Sequence, residues 1–566
     1  MRLSNLEFLS ISPPFSRLFE DLHSVTIALA LVVSCVALLA AGEEAEASVN
    51  LPLHHWAYEA IERLTAMGVI DRAIVGTKPY SRKQAARSVA RAVEQVKAGH
   101  VSSELEKGAS EALLSRLAGE FHAELVGLGA LPDESGPSHG TVRYGGQLKT
   151  EVDAFSVGGG QTVRFRENRG GEYYANGLQN QTDVRGWMEV GDWASVMAQP
   201  KFISNRHGLG FGATDNSRNF YLREFSAKLS LFNVSLEVGR GTLWWGQGTH
   251  GSLLLTDHAF PMDMVKLGSE EAFRLPGFLR GLGEWKVNSF LAQLERDRDF
   301  SRAKVFGLRV SYLPASWLEL NATRLTQFGG KGRGQDFPEA ILKAYGDPPN
   351  QAGAAEVNEQ IMLDFRARVP GVPYLIPFPG GLQLYGELGS EDKWSQYPLP
   401  SRAAILGGVY IPQLFAGDTT DLRIEYADTD LARRRTQGNL SQVWYNNGTY
   451  VSGLRHKGLP LGHHMGTDGI DWYVRSTRYA TDAVQVGLTF NVQERDRGQP
   501  IHEKKQEVGL DAVWWISDRA WINLGYTYQK IRNPGQATQI NPFVETFAAD
   551  LTAKNHLLSG SFTVEF

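Results

Sequence analysis

Cysteine is nearly absent. The chain has one, Cys35, in 566 residues, and it lies inside an apolar N-terminal stretch. Removal of that stretch would leave no thiol. That excludes structural disulfides and cysteine-based metal or redox chemistry, and it suits folding in an oxidising space. Long apolar runs are also missing. Beyond the N-terminus no stretch reaches the ~20 residues a transmembrane helix needs, and mean hydropathy is −0.26. Charge of one sign is lacking too. Net charge is −5, without the basic stripe that nucleic acid demands, so no nucleic-acid partner is expected. Glycine and aromatic residues are plentiful, 60 Gly and 10% Phe, Trp and Tyr, which fits a β-rich chain with many turns. Low hydropathy does not exclude a membrane barrel, because lumen-facing polar residues alternate with lipid-facing apolar ones.

Residues 1–47 read as a signal peptide. The apolar run covers residues 25–41, and Ala45-Glu46-Ala47 before Ser48 has the small-x-small cleavage pattern. Arg2 and Arg17 stand far from the run and Glu20 and Asp21 close to it, as a start codon set too far upstream would produce. A permanent anchor helix and lipidation at Cys35 are the competing readings. Residues 48–130 read as a small helical domain, expected in the periplasm. Leu53, Trp56, Ala60, Leu64 and Met67 fall at helical spacing, with Gly68 as C-cap. A second helix is predicted over residues 81–96, with Ser81 as N-cap, Gln84 at capping-box spacing and Ala85, Val89, Ala92 and Val96 as its buried stripe. A third is predicted over residues 103–128, with Leu105, Leu113, Leu117, Phe121 and Leu125 inward. The Trp-Ala-Tyr helix followed by an Arg-bearing second helix resembles a surface-layer-homology-like unit, with Trp56, Tyr58 and Arg82 at the matching places. That resemblance implies contact with a peptidoglycan-linked polymer. A bundle that only packs under a barrel is the alternative. Residues 131–140, LPDESGPSHG, read as a linker.

Residues 141–566 form a series of period-two segments separated by turns, which predicts a large antiparallel transmembrane β-barrel. Tyr221, Arg223, Phe225, Ala227 and Leu229 are expected on one face, and Val484, Val486, Leu488 and Phe490 on another. Short turns (LFN, LPAS, ISDRA) alternate with long loops such as residues 329–356 and 429–468. That asymmetry belongs to outer-membrane barrels, with short periplasmic turns and long outer loops. Trp244-Trp245, Trp444-Tyr445, Trp472-Tyr473 and Trp514-Trp515 read as interfacial aromatics. The chain ends on alternating Leu558, Gly560, Phe562, Val564 and Phe566, which resembles the signal read by the barrel-assembly machinery. At roughly 22–27 residues per strand and turn, about 16 to 18 strands are expected. Such a lumen is wide enough to need polar walls, and Arg164, Arg166, Arg185, Arg223, Arg240, Glu189 and Glu237 are candidate lumen-facing charges.

The stretch over residues 239–283 is the most specific. Trp245-Gly246-Gln247-Gly248, Gly251-Ser252-Leu253-Leu254-Leu255 and Ala259-x-Pro261 resemble the diagnostic segment of the Wzi-type capsule-assembly family. The resemblance implies an outer-membrane barrel of eighteen strands with an N-terminal helical domain, acting as a lectin that helps hold capsular polysaccharide or exopolysaccharide on the cell. The surface-layer-like helical unit departs from that pattern and leaves the sugar open. Physically, Gly246, Gly248 and Gly251 permit positive φ and close backbone approach, and Leu253 to Leu255 lack strict alternation. Trp245, Gly246, Gln247, Gly248 and Gly251 are therefore expected to form a constriction or plug in the lumen, with Phe273, Leu275, Phe278 and Leu279 continuing its apolar patch.

Sugar binding combines flat aromatics with amides and Arg. The outer loops offer Trp394, Tyr397, Trp444, Tyr445, Asn446, Asn447, Tyr450, Arg455 and His456, and residues 439–468 are the expected glycan surface. Trp444, Tyr445, Asn446, Tyr450 and Arg455 are its candidate contacts. His54-His55 and His463-His464 have no carboxylate or Cys partner at useful spacing, so they read as loop or surface residues. Gly251-Ser252 lacks a nucleophile elbow. Neither catalysis nor a metal or cofactor is expected. A diffusion channel with a helical wall anchor is the competing function, and a secreted soluble β-protein the third reading.

Overall fold

The computed structural model describes residues 47–99, 109–132, 142–158, 163–204, 219–333, 357–371, 376, 378–391, 403–415, 419–431, 443–537 and 545–566. The leader with Cys35, nearly all of the linker, Leu105, Trp394 and Tyr397 lie outside the described residues.

Eighteen long antiparallel strands close into one barrel. They are β1 (Val142–Ser156), β2 (Gly177–Val190), β3 (Ala194–Ile203), β4 (Phe220–Leu231), β5 (Val234–Gly241) and β6 (Met262–Ser269). Then come β7 (Glu284–Gln293), β8 (Lys304–Ala315), β9 (Leu318–Phe328), β10 (Asn358–Val369), β11 (Leu382–Glu391) and β12 (Ala403–Ile411). The last are β13 (Thr420–Asp428), β14 (Ile470–Thr481), β15 (Val484–Arg495), β16 (Glu503–Ser517), β17 (Ala520–Arg532) and β18 (Thr552–Glu565). Each strand pairs with its sequence neighbours, and β18 pairs with β1 to seal the cylinder. Gly146 and Phe566 exchange both backbone hydrogen bonds across that seam, at 2.8 and 2.9 Å.

Period-two patterning decides which face each residue meets. On β15, Val486, Leu488 and Phe490 are 40–51% exposed, whereas Asn491 and Gln493 are buried. Leu510 on β16, Leu524 on β17 and Leu558 on β18 likewise point outward. A belt of such side chains is tolerable only against lipid, since shielding each from water is worth about 1.5–3 kcal/mol. The β4 alternation departs from the expectation. Arg223 faces the lumen, bonded to Glu172, while Leu229 faces out. The register between β3 and β4 shifts at Gln199/Pro200, so Arg223 is the extra residue of a bulge.

Among the described residues, four α-helices pack beneath the end of the barrel that carries the short turns. They are α1 (Ala57–Met67), α2 (Arg82–Lys97), α3 (Ala109–Glu120) and α4 (His122–Gly127). α1 starts after Trp56, so Leu53 precedes it, and Gly68 caps it at φ 81°. Ser81 caps α2 by accepting the Gln84 N–H at 3.2 Å. The expected third helix breaks at Phe121 into α3 and α4, yet Leu113, Leu117, Phe121 and Leu125 are all buried together. Arg63 donates to the Thr419 carbonyl and Lys83 pairs with Asp192, both on short turns. Trp56 meets Trp515 edge-on at 6.4 Å.

A further tie is ionic. Glu62 of α1 sits between Arg366 of β10 and Arg423 of β13, with all three buried. Burial alone would raise the Glu62 carboxyl, but Arg423, Arg366 and Lys78 together hold it well below the usual carboxylate range. Glu62→Ala leaves two guanidiniums uncompensated, a loss of about 3–5 kcal/mol. Limited proteolysis of the folded variant should cleave the helical unit early while the barrel keeps its heat-modifiable mobility.

Candidate functional site

The β5–β6 loop, residues 242–261, runs back into the lumen. Residues Thr77–Lys78, which lead from the helical unit, enter the barrel and pair antiparallel with Trp244–Trp245. The Gly246 N–H donates to the Gly76 carbonyl at 2.9 Å, and the Trp245 N–H to the Leu255 carbonyl at 3.1 Å. Leu253, Leu254 and Leu255 are buried against Trp245, Phe290 and Tyr445.

A backbone folded into a barrel needs acceptors for its N–H groups, and inward carboxylates of the wall supply them. Glu387 of β11 accepts from the N–H groups of Gln247 (2.6 Å), Gly248 (2.9 Å) and Leu253 (2.8 Å) and from the Ser252 hydroxyl (3.1 Å). Glu425 of β13 accepts from Thr249 (2.7 Å) and His250 (3.0 Å). The Gln247 amide donates to Glu319 and Asp364 and accepts from Arg366 at 2.6 Å. Arg309, fully buried, forks onto Asp364 at 2.7 and 3.0 Å and also donates to the Gly76 carbonyl.

Two glycines allow this course. A Cβ on Gly248 would lie 1.9 Å from the Gly251 carbonyl oxygen, and one on Gly251 would lie 2.4 Å from the His463 ring. Of the three signature glycines only Gly246 has positive φ, +150°. The signature stretch is also divided more than its sequence suggests. Residues 262–269 are plain barrel strand, and Phe278 lies at the short-turn end, 94% exposed.

The β13–β14 loop, described over residues 429–431 and 443–469, packs on the first. The Tyr445 hydroxyl donates to the Leu253 carbonyl at 2.6 Å and accepts the His463 N–H at 2.7 Å. Trp444, Tyr445 and Tyr450 are 0% exposed, which corrects the expectation that their rings stack on glycan. They fill the apolar core between the two loops. Arg455 is buried as well, donating to the Tyr445 carbonyl, the Asn446 side chain and Thr467. Among the five candidates, Asn446 alone is half-buried.

The β1–β2 loop completes the filling. Its Arg166 pairs with Glu151 and Asp153, and its Glu172 with Lys201 and Arg223. Arg185, Glu189 and Glu237 are also buried, turned to the Ser48–Asn50 segment. Arg240 does not face the lumen. It shares the parity of outward Leu236 and pairs with Asp263 at the barrel surface. The Arg164 side chain lies outside the described residues.

The histidines are placed unlike their sequence reading. His54 bonds Asp257 and His55 bonds Glu565, pointing apart. His463 and His464 are buried, beside His250 and His258 of the β5–β6 loop. Burial pushes His258 down to about 3 and His463 to about 4. Burial opposes charge on His250 also, but Asp471 at 2.7 Å prevails and raises it, so positive charge is favoured there. Sequence reasoning missed Glu387, Glu425, Asp364, Arg309 and Arg366. Their inward parity was a usable signal, whereas their partners come from loops distant in sequence.

Glu387→Ala strands the N–H groups of Gln247, Gly248 and Leu253, each worth about 1–3 kcal/mol when buried unpaired. The barrel should still fold, and planar-bilayer recordings should change from closed to a large fluctuating conductance.

Comparison with known proteins agrees with this construction. The family model "Capsule assembly protein Wzi" matches residues 146–541. An uncharacterized 55.8 kDa protein in the cps region of Klebsiella pneumoniae is 27% identical over 282 residues. That match spans about half of each protein, 49% of this chain and 52% of the relative. Among solved structures, Escherichia coli Wzi superposes with a TM-score of 0.64 at 19% identity, covering 93% of this chain and 100% of that one. It is described as a carbohydrate-binding β-barrel of the outer membrane involved in group 1 capsule assembly. The apolar belt and closed strand topology make this chain an outer-membrane barrel too. With the family model spanning most of the barrel and its signature loop, the chain belongs to the Wzi capsule-assembly family.

Proposed function

We propose that this barrel holds capsular polysaccharide or exopolysaccharide at the cell surface as a lectin-like, non-enzymatic protein. The observation that carries the reading is the filled lumen: loops anchored on Glu387 and Glu425 occupy it, and the helical unit reaches it from the other end. A barrel built this way offers a surface rather than a passage, which disfavours the diffusion channel. The carbohydrate binding described for Escherichia coli Wzi supports the same reading. The helical unit then lies in the periplasm. Its Arg82 is tied to Glu120 and Glu124, and its Tyr58 hydroxyl to Leu51 and Tyr80. Those ties favour packing under the barrel over capture of a peptidoglycan-linked polymer. The alternating C-terminal strand supports delivery to the barrel-assembly machinery, and outer-membrane lipid surrounds the belt.

Glycan contact falls to the outer edge of the two packed loops, where the buried Trp444, Tyr445 and Tyr450 serve as support. Asn446, Asn447 and Thr449 are half-buried there and Val451 is 63% exposed. The adjacent β7–β8 loop (294–303) and residues 329–333 join them through Asp299 to Ser452 and Tyr450 to Gly329. Arg296, Arg302 and Lys331 are exposed on this patch, and Arg333 covers the Tyr450 ring at 5.1 Å. These cations suit an acidic polysaccharide. Replacing Arg296, Arg302 and Lys331 together by Ala removes about 0.5–1 kcal/mol each. Cell-retained polysaccharide should fall on the order of tenfold at an unchanged amount of folded barrel. Equal retention would contradict the assignment.

A further inference from the structure

Three outer loops that are distant in sequence converge on one cluster, in which His464 is buried and Glu167 and His250 are half-buried. Glu167 comes from the β1–β2 loop, His250 from the β5–β6 loop, and His463 and His464 from the β13–β14 loop. The carboxylate of Glu167 and one ring nitrogen each of His250 and His464 lie within 4.8 Å of one another. His464 Nε2 is 3.5 Å from Glu167 Oε2, and His250 Nε2 is 3.8 Å from the same oxygen. Ligands of a tetrahedral zinc site sit about 3.3–3.5 Å apart, given metal–ligand bonds of roughly 2.0–2.2 Å. The two distances to Glu167 need a few tenths of an ångström of closure at most to reach that spacing, and the two ring nitrogens lie within 4.8 Å of each other.

The surroundings are arranged as a metal site requires. His250 Nδ1 lies 2.7 Å from Asp471 Oδ2. An Nδ1–H donated to that carboxylate leaves the Nε2 lone pair directed at the cluster, the carboxylate–histidine arrangement that orients metal ligands. The His250 ring is further fixed by stacking on Tyr473 at 4.1 Å. Glu167 gives its other oxygen, Oε1, to Lys505 at 2.5 Å, which fixes the carboxylate while Oε2 faces the rings. Glu507 lies 3.6 Å from Lys505, so Glu167, Asp471 and Glu507 together outweigh that one ammonium. The His464 side chain is 1% exposed, and neither of its ring nitrogens makes a hydrogen bond, nor does His463 Nε2. Buried polar atoms left bare are costly, and a ring facing a carboxylate and a second imidazole is relieved by a shared cation. Two imidazoles and one carboxylate suit Zn²⁺ and its divalent transition-metal neighbours, not Mg²⁺ or Ca²⁺, which prefer oxygen donors.

We propose that Glu167, His250 and His464 bind one divalent transition-metal ion, with Zn²⁺ the fitting probe, and that the ion cross-links the three loops filling the outer half of the barrel. Asp471 is a positioning residue that acts through His250.

The test uses the full chain in detergent, stripped with EDTA, dialysed and titrated with zinc sulphate. Equilibrium dialysis with elemental analysis should find one Zn²⁺ per barrel, retained in millimolar Mg²⁺, together with a rise of several degrees in the unfolding temperature of the heat-modifiable form. His250→Ala and His464→Ala should each abolish the bound zinc and the thermal shift. Asp471→Asn should keep the stoichiometry and weaken binding about 10–100-fold. His54→Ala, at a histidine outside the cluster, should leave the zinc stoichiometry and the zinc-induced thermal shift unchanged. Zinc K-edge absorption on the wild-type protein guards against variants that fold poorly. A first shell with two imidazoles supports the site, and an oxygen-only shell overturns it. Equal zinc binding by the wild type and the His250→Ala/His464→Ala double variant overturns it, as does a wild-type barrel that binds no zinc.

Discussion

The construction depends on a hydrogen-bond constraint. A chain segment drawn into a lumen loses water as partner for its backbone, and every N–H must find another acceptor. Glu387 and Glu425 meet that demand for Gln247, Gly248, Leu253, Thr249 and His250. At about 1–3 kcal/mol for each buried N–H left bare, the five together amount to roughly 5–15 kcal/mol, the scale of a whole domain's stability. The dependence runs both ways. A carboxylate taken out of water is itself tolerable only where donors converge on it, and the loop's N–H groups are those donors.

The same wall groups join the two ends of the barrel. Glu319 accepts from the N–H groups of Val75 and Gly76 of the helical unit and from the side chain of Gln247 of the loop. Arg366 holds Glu62 of α1 together with the side chain and carbonyl of Gln247. Helical unit and loop are thus attached to one network, so loosening either is felt by the other. The outer loops extend the arrangement upward, since Tyr445 binds Leu253 while the aromatic core of Trp444, Tyr445 and Tyr450 excludes water above it. Closure of the lumen is therefore a property of the whole interior rather than of one gate.

The barrel itself was legible because lipid imposes a period of two on each strand. β15, β17 and β18 show it plainly. The strand estimate reached eighteen for the same reason. Where alternation misled, the cause lay in strand pairing: Arg223 changes face because the β3–β4 register shifts by one residue there. The placement of Trp444 and Tyr445 was illegible for a related reason. An aromatic pair in an Asn- and Gly-rich loop reads as surface unless the leucines that cover it are known, and these lie about 190 residues earlier, at Leu253 to Leu255. His463-His464 had no partner at local spacing because their neighbours, Glu167 and His250, arrive on separate loops. Local chemistry was visible in the signature glycines, but only the fold shows that Gly248 and Gly251 are required by close approach and Gly246 by its backbone angle.

The central claim is that residues 245–256 are folded inside the barrel and held there by wall carboxylates. Hydrogen–deuterium exchange on the detergent-solubilised protein tests it most directly. The amides of Gln247, Gly248, Thr249 and Leu253 should be protected as strongly as those of the neighbouring strands, with protection falling at Gln247, Gly248 and Leu253 but not at Thr249 when Glu387 is replaced by Ala. Exchange at the rate of an exposed loop in the unaltered protein would contradict the account.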